Sequence, residues 1–236
     1  MGTRLDFQTA ARLFIFDKTT PLLYSLSIHG YMVRIVCQTA QMPLECHLMN
    51  ENMNENMNDS DLIWHEIRRV ELLRTPVFTV TERTSKSPTG QTGAYIVNET
   101  RDWVIVIPVS GDDFLMVRQW RHGEGGLSVE FPGGVVDKGE DPLDAARREL
   151  KEETGATAKR LVKLGAMNPN PALFSNHVHV FLAETLEFSG EQSLDADEYV
   201  SYLTIPRREV LQKFGGGEYC HALMASAAAL YLARQV

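Results

Sequence analysis

The sequence predicts an α/β fold with a mixed sheet, and two observations support that prediction. Apolar runs at 103–109 and 114–120 flank a Gly-Asp-Asp turn, as the antiparallel strands of a hairpin do. A helix signal at 142–154 separates this hairpin from further strand-like runs at 161–167 and 177–183. The order of elements is therefore mixed α and β.

The helix is the best-defined element of the prediction. Asp141 can cap its N-terminus, Pro142 suits the first turn, and Asp144 complements the positive end of the helix dipole. Gly155 stands where a C-terminal stop belongs. We therefore expect the helix to span Pro142 to Thr154.

A small β-element is predicted for residues 61–102, ahead of the main domain at 103–236. Its β-rich runs are clearest at 77–81 and 94–97, with a Ser/Pro/Thr/Gly turn cluster between them. The β-rich half of the main domain should end near Phe131. A late strand and a closing Ala/Leu-rich helix complete the prediction, at 199–205 and 221–234.

Residues 1–60 are expected to form an N-terminal extension. The segment 49–60 reads MNENMNENMNDS, a tandem repeat with almost no apolar content apart from methionine, which predicts a flexible linker. Residues 1–48 have two open interpretations: a small N-terminal piece, or translated upstream sequence with a methionine of the repeat as the natural start. The intact mass of the native protein decides between them.

Composition limits the classes of function. The chain has 236 residues, enough for one sizeable core, and 31 acidic against 23 basic residues give a formal charge of -8. That balance provides no electrostatic reason to bind duplex nucleic acid or an anionic membrane. The first 60 residues also lack a basic stripe and a clear helix-turn-helix pattern. Nucleic-acid and membrane partners are therefore not expected.

The cysteines and the most apolar early stretch indicate a cytoplasmic protein. Cys37, Cys46 and Cys220 share no metal-ligand spacing and fit a reducing compartment. The stretch 22–37 contains His29, Gly30 and Arg34, so it lacks the roughly 20 apolar residues that a spanning helix needs. It also has no clear signal-peptide layout.

Three carboxylates cluster on the predicted helix. Glu149, Glu152 and Glu153 are three and four residues apart and therefore project from one face. Like charges at that spacing repel unless a cation lies among them, and hard oxygen ligands suit Mg²⁺ or Mn²⁺. A solvated charged face is the alternative. The preceding Gly133 and Gly134 favour a metal site, because glycines let backbone oxygen approach the same ion.

Residues 134–156, GVVDKGEDPLDAARRELKEETGA, resemble the Nudix box. Its pattern is Gly, five residues, Glu, seven residues, Arg-Glu-aliphatic, one residue, Glu-Glu, one residue, Gly-aliphatic. Ala156 departs from it in being smaller than the usual aliphatic residue, which concerns packing. The matching positions are Gly134, Glu140, Arg148, Glu149, Leu150, Glu152, Glu153 and Gly155. The resemblance implies the Nudix α/β/α sandwich with a mixed sheet.

The resemblance also assigns roles within the motif. Glu149 and Glu153 would be the principal metal ligands, with Glu152 acting directly or through water. The carbonyl of Gly133 would complete the ligand set for Mg²⁺ or Mn²⁺. Arg148 would orient a glutamate, with a surface ion pair to its acidic neighbours as the alternative. Structural roles in the box fall to Gly134, Glu140 and Gly155.

Three flanking segments resemble ADP-ribose pyrophosphatases and related nucleoside diphosphate sugar hydrolases. They are VRQWR at 117–121, EFPGG at 130–134, and NPNPALFSNHVHVFLA at 168–183, in which Pro171 lies sixteen residues beyond Gly155. The branch implies hydrolysis of ADP-ribose to AMP and ribose 5-phosphate. It also implies a homodimer to which residues 61–102 contribute.

Candidate substrate residues lie on strands beside the motif. Arg118 and Arg121 can hold a phosphate or a terminal sugar, because guanidinium presents a fork of donors; a strand-edge ion pair is the alternative. His177 and His179 alternate on a strand. Since the carboxylates already supply a metal site, we interpret these histidines as packing or hydrogen-bonding residues.

The catalytic base should come from outside the motif, on a mobile loop that closes over substrate. The acidic loop SLDADEYV at 193–200 offers Glu198, Asp197 and Asp195, which stay unranked, and a solvated turn is the alternative.

Two rival functions remain open. One is hydrolysis of another diphosphate, such as a GDP-sugar, a dinucleoside polyphosphate or an oxidised nucleotide. The other is an ADP-ribose-binding module without catalysis, whose usual mark would be lost glutamates, and none is lost here.

Overall fold

The chain divides into two compact units, Met1–Asn58 and Asp59–Val236. The computed structural model describes residues 22–28, 31–37, 58–188, 190–196 and 198–234. The first unit contains an antiparallel hairpin of β1 (Leu22–Ile28) and β2 (Tyr31–Cys37), which the sequence analysis did not predict. Most of the predicted linker, 49–57, lies outside the described residues.

The second unit begins with a 3₁₀ turn at Asp59–Leu62 and a three-stranded antiparallel sheet. The strands are β3 (His65–Arg74), β4 (Thr79–Lys86) and β5 (Thr92–Glu99). The predicted run at 94–97 lies inside β5, whereas the run at 77–81 only overlaps the start of β4. β3 was not singled out, because it is exposed along nearly its whole length and shows no apolar alternation.

A six-stranded mixed sheet forms the centre of this unit. The strands are β6 (Trp103–Ser110), β7 (Asp113–Arg121), β8 (Gly126–Glu130), β9 (Ala156–Met167), β10 (Val178–Phe188) and β11 (Val200–Pro206). Their order is β11-β7-β6-β10-β9, with β8 paired to β7. β10 runs parallel to β6 and the other pairs are antiparallel. The predicted mixed sheet is confirmed.

Among the described residues, three α-helices accompany the sheet: α1 (Pro142–Thr154), α2 (Arg207–Lys213) and α3 (Ala222–Ala233). α1 has the predicted bounds, and the Asp141 side chain accepts the N–H of Leu143 at 2.8 Å. Gly155 ends it in the left-handed conformation at φ 67°. α2, with 7 residues, was not predicted. Within the described ranges, no helix is long and apolar enough to cross a membrane.

Two apolar cores lie on opposite faces of the sheet, as the alternation of β6 requires. Ile105 and Ile107 face the core shared with α2 and α3. Val104 and Val106 face the core shared with α1, in which Leu150 is fully buried. Helices on both faces of a mixed sheet make the α/β/α sandwich that the resemblance of residues 134–156 implied.

Candidate active site

The glycine-rich loop before α1 is fixed by the backbone of β6. The N–H of Val104 donates to the Gly134 carbonyl at 2.9 Å, and the N–H of Val106 donates to the Pro132 carbonyl at 2.8 Å. The intervening Gly133 carbonyl has no hydrogen-bond partner among the described residues. A Cβ at Gly133 would lie 2.1 Å from the Val104 carbonyl oxygen. The strand therefore excludes any side chain at 133 and leaves that carbonyl free to bind a ligand.

Gly134 brings the loop against the acidic face of α1. A Cβ at this position would lie 2.4 Å from Oε1 of Glu149. The N–H of Gly133 donates to Oε2 of Glu153 at 2.9 Å. Both glycines thus allow the loop backbone to lie directly against carboxylates of the helix. The expected approach of a backbone oxygen to a shared metal ion stays a prediction.

Glu149 and Glu153 are buried carboxylates, with 9% and 4% of their surface exposed. Burial raises the pKa of Glu153 to about 8, against the hydrogen bond from the Gly133 N–H. Burial also raises the pKa of Glu149, although the adjacent Arg148 opposes it. Two neighbouring carboxylates that ionise with difficulty favour a cation beside them.

Arg148 forms ion pairs with three glutamates around the loop. Its guanidinium donates to both carboxylate oxygens of Glu140 at 3.0 Å and to the Val135 carbonyl at 3.0 Å. It also donates to Glu149 at 2.9 Å and to Glu152 at 3.1 Å. Arg148 therefore contacts two of the three clustered carboxylates and the loop backbone together.

Two neighbours of Arg148 clarify its surroundings. Asp144 and Glu152 lie four residues before and after Arg148 and are the acidic neighbours that could form a surface ion pair with it. Asp144 pairs instead with Arg147 at 2.8 Å, whereas Glu152 contacts Arg148. Glu140 accepts the N–H of Asp137 at 2.9 Å, which ties the loop to the Arg148 network.

A cavity of about 690 Å³ opens beside this network, within the usual size range of ligand pockets. Seven described residues with carboxylate side chains line it: Glu130, Asp137, Glu149, Glu152, Glu153, Asp195 and Glu198. Oxygen donors of this kind suit a hard divalent cation, so the residues fit such an ion by donor type. Among the described residues no three such groups are already placed as a metal cluster. Arg148 bonds one oxygen each of Glu149 and Glu152, both of which line the cavity.

The acidic loop predicted to supply the base reaches the same cavity. Asp195 and Glu198 close a turn: the Asp195 N–H donates to Oε2 of Glu198 at 3.1 Å, and the Glu198 N–H donates to the Asp195 carbonyl at 3.0 Å. Asp197, the third candidate, lies outside the described residues.

The two candidate arginines have different surroundings. Arg121 lines the cavity and donates to both oxygens of Glu130, at 2.8 and 2.6 Å. Arg118 pairs with Glu218 and is not among the residues that line the cavity. The structure therefore brings Arg121, but not Arg118, to the carboxylate cluster.

Glu130 and His221 line the cavity and were not predicted from the sequence. Glu130 is 1% exposed and accepts both hydrogen bonds of Arg121. His221 caps α3, where its Nδ1 accepts the N–H of Leu223 at 3.2 Å.

His179 bonds Asp102 at 2.8 Å, the hydrogen-bonding role that was expected of it.

Fold and site together define an α/β protein in which a glycine-rich loop and an acidic helix face a ligand-sized cavity. Residues 99–218 match the NUDIX domain family, and the chain belongs to that family. Nudix hydrolases are generally dependent on a divalent metal, in agreement with the donor set described above.

Three comparisons place the chain among known proteins. An ADP-ribose pyrophosphatase of Bacillus subtilis is 40% identical over 111 residues, which is 46% of this chain and 60% of that protein. The methanol dehydrogenase activator of Bacillus methanolicus is 32% identical over 127 residues, 53% of this chain and 69% of that protein. A crystal structure of an ADP compounds hydrolase superposes with a TM-score of 0.64 at 25% identity, covering 73% of this chain and 92% of the other. The chain thus spans less than two thirds of the length of the first of these relatives.

Proposed function

We propose that this chain hydrolyses the diphosphate of a nucleoside diphosphate sugar, with ADP-ribose converted to AMP and ribose 5-phosphate. The observation that carries the proposal is the pair of buried carboxylates, Glu149 and Glu153, facing a cavity of about 690 Å³ beside a free backbone carbonyl. The preference for ADP-ribose rests on the similar proteins, which are an ADP-ribose pyrophosphatase and an ADP compounds hydrolase.

Glu149, Glu153 and the Gly133 carbonyl would hold Mg²⁺, or Mn²⁺, with Glu152 contributing directly or through water. When bound, the cation supplies charge neutralisation for the diphosphate and lowers the pKa of a coordinated water. Arg148 keeps Glu149 and Glu152 oriented toward the cavity through its hydrogen bonds to both. Glu140, bonded to the same guanidinium, holds the loop in register with the helix.

The reaction forms one bond from water oxygen to phosphorus and breaks one bond from phosphorus to the bridging oxygen. Asp195 or Glu198, both on the cavity, would accept the proton of the attacking water. Arg121 has its Nε and Nη2 bound to Glu130, while Nη1 has no partner within the described ranges. That remaining donor would bind a phosphate oxygen.

Product analysis tests the proposal. The full chain is incubated with Mg²⁺ and ADP-ribose, GDP-mannose, a dinucleoside polyphosphate or dGTP, and the products are separated by chromatography. We expect AMP and ribose 5-phosphate from ADP-ribose, with at least a 100-fold loss in Glu153→Gln, as is typical when a key electrostatic group is removed. Cleavage of another substrate alone would move the proposal to that substrate. Tight ADP-ribose binding without turnover would replace it with a binding module.

We further propose that the protein is a cytoplasmic homodimer formed through the sheet of β3, β4 and β5. Ile67, Leu72 and Leu73 are each more than half exposed, and β3 is an edge strand of that sheet. Exposed apolar side chains on an unpaired strand edge favour pairing with a second copy of the same edge. Light scattering after gel filtration should give twice the chain mass, and Ile67→Glu should give the monomer. A monomeric wild type would contradict the proposal.

The cytoplasmic location is supported by Cys220, a free thiol that fits a reducing compartment.

A further inference from the structure

The chain at the start of the acidic loop, residues 193–200, contacts the end of α1 through uncharged groups. The N–H of Ser193 donates to the Glu152 carbonyl at 2.9 Å. The side-chain amide of Gln192 donates to the Glu153 carbonyl at 2.5 Å and to the Val200 carbonyl at 3.1 Å. These contacts fasten both ends of the loop to each other and to the helix.

The chemistry of these contacts depends on the amide of Gln192. Both of its partners are carbonyl oxygens, so only the NH₂ group of the side chain can satisfy them. The last carbonyls of a helix have no partner within the helix itself, and Gln192 supplies one of the missing donors to α1. Because one NH₂ group bonds both α1 and the start of β11, a residue without donors loses both contacts.

A close backbone approach supports the same arrangement. A Cβ at Gly155 would lie 2.4 Å from the carbonyl oxygen of Gly190, so the chain just before the loop packs directly on the turn that ends α1. Asp195 and Glu198, which follow this contact along the chain, line the same cavity as Glu149 and Glu153.

We propose that Gln192 is a positioning residue that ties the acidic loop to the C-terminal end of α1 and thereby keeps Asp195 and Glu198 on the cavity. The catalytic consequence of this inference rests on the proposed function. The hydrogen bonds of Gln192 to the Glu153 and Val200 carbonyls, which we call the tie, belong to the folded chain whatever its activity. The loop expected to be mobile is, in this arrangement, anchored at its base.

Hydrogen exchange tests the tie without any reaction. In Gln192→Met and in the isosteric Gln192→Glu, the Ser193 amide should exchange at least about tenfold faster than in the wild type, because its local opening costs less. Peptides from α1 and β6 should be unchanged. Glu191→Met is the matched control, since Glu191 is exposed and has no hydrogen bond or ion pair within the described part of the chain. Unchanged Ser193 exchange in both variants would overturn the proposal.

Kinetics test the consequence for the site. Gln192→Met should lower kcat about tenfold with KM within about twofold, because displaced catalytic groups lose rate rather than ground-state binding. In a background carrying Asp195→Asn and Glu198→Gln, the same substitution should change kcat less than about twofold, because it acts through those carboxylates. A full tenfold loss in that background would show a general structural effect and overturn the positioning role. If the wild type hydrolyses nothing, the proposed function fails and the exchange result still decides the tie.

Discussion

Replacing Glu153 by glutamine should stabilise the metal-free protein at alkaline pH. Burial raises the pKa of this carboxyl to about 8 in the folded chain, whereas the ordinary value is 4.5. Between those two pH values the folded protein holds a proton that the unfolded chain has released, so stability falls as pH rises through this range. Glutamine carries no charge at any pH, and its oxygen can still accept the Gly133 N–H.

The magnitude follows from the two pKa values. At about 1.4 kcal/mol for each pH unit between them, folding the ionised carboxylate at pH 8 costs on the order of 4 kcal/mol relative to the unfolded chain. At pH 5 the carboxyl is protonated in the folded protein and the cost is small. The difference in free energy of unfolding between Glu153→Gln and wild type should therefore be near zero at pH 5 and several kcal/mol in favour of the variant at pH 8.

Urea unfolding followed by tryptophan fluorescence measures this difference. All three tryptophans lie in the second unit, at positions 64, 103 and 120, so the signal reports on the unit that contains the site. The protein is treated with EDTA and measured from pH 5 to pH 8.5. Adding Mg²⁺ at pH 8 should reverse the ranking, because a ligand that binds only the folded wild type stabilises it by mass action.

Glu152→Gln provides the control. Its side chain is 38% exposed and lies on the same helix, so neutralising it should change stability by less than about 1 kcal/mol at any pH. The reasoning is refuted if Glu153→Gln is less stable than wild type at pH 8 without metal, or if the difference does not grow between pH 5 and pH 8.

Three further outcomes are expected. Gly133→Ala should lower the urea midpoint by the equivalent of a few kcal/mol, because its Cβ would overlap the Val104 carbonyl. Gly123→Ala is the control and should leave the midpoint unchanged, because the space around Gly123 is open. Arg121→Ala should destabilise by about 3 kcal/mol in thermal unfolding, since it leaves the buried Glu130 carboxylate unpaired; an unchanged melting temperature would contradict this. The affinity for Mn²⁺, measured by calorimetry, should be at least tenfold weaker at pH 6 than at pH 8, because the cation must displace protons from Glu149 and Glu153. Equal affinities at the two pH values would refute this competition between protons and the cation.

Local signals explain what the sequence predicted well. Asp141, Pro142 and Gly155 define α1 through contacts within a few residues, so its bounds need no knowledge of the rest of the fold. The acidic face follows from helical periodicity in the same way. α2 and β8 were missed because they are short, and 7 and 5 residues show little periodicity.

Long-range contacts explain what the sequence could not predict. Gln192 has no local pattern, and its importance depends on carbonyls of α1 that are close only in the folded chain. The difference between Arg118 and Arg121 was partly available, because residues three apart on a strand point to opposite faces. That rule, applied to β7, leaves only one of the two arginines beside Glu130.

The parallel pairing of β10 with β6 has a consequence for the order of folding. β6 bonds the glycine-rich loop at one edge. Its other edge pairs with β10, which follows residues 134–156 in the chain. Next to this pairing, Asp102 bonds His179, 77 residues later in the sequence. Closing so long a segment is slow compared with forming α1, and a 13-residue helix is marginal by itself in water. A peptide of residues 134–156 should therefore remain largely unstructured, and during synthesis the motif acquires its shape only after β10 has left the ribosome.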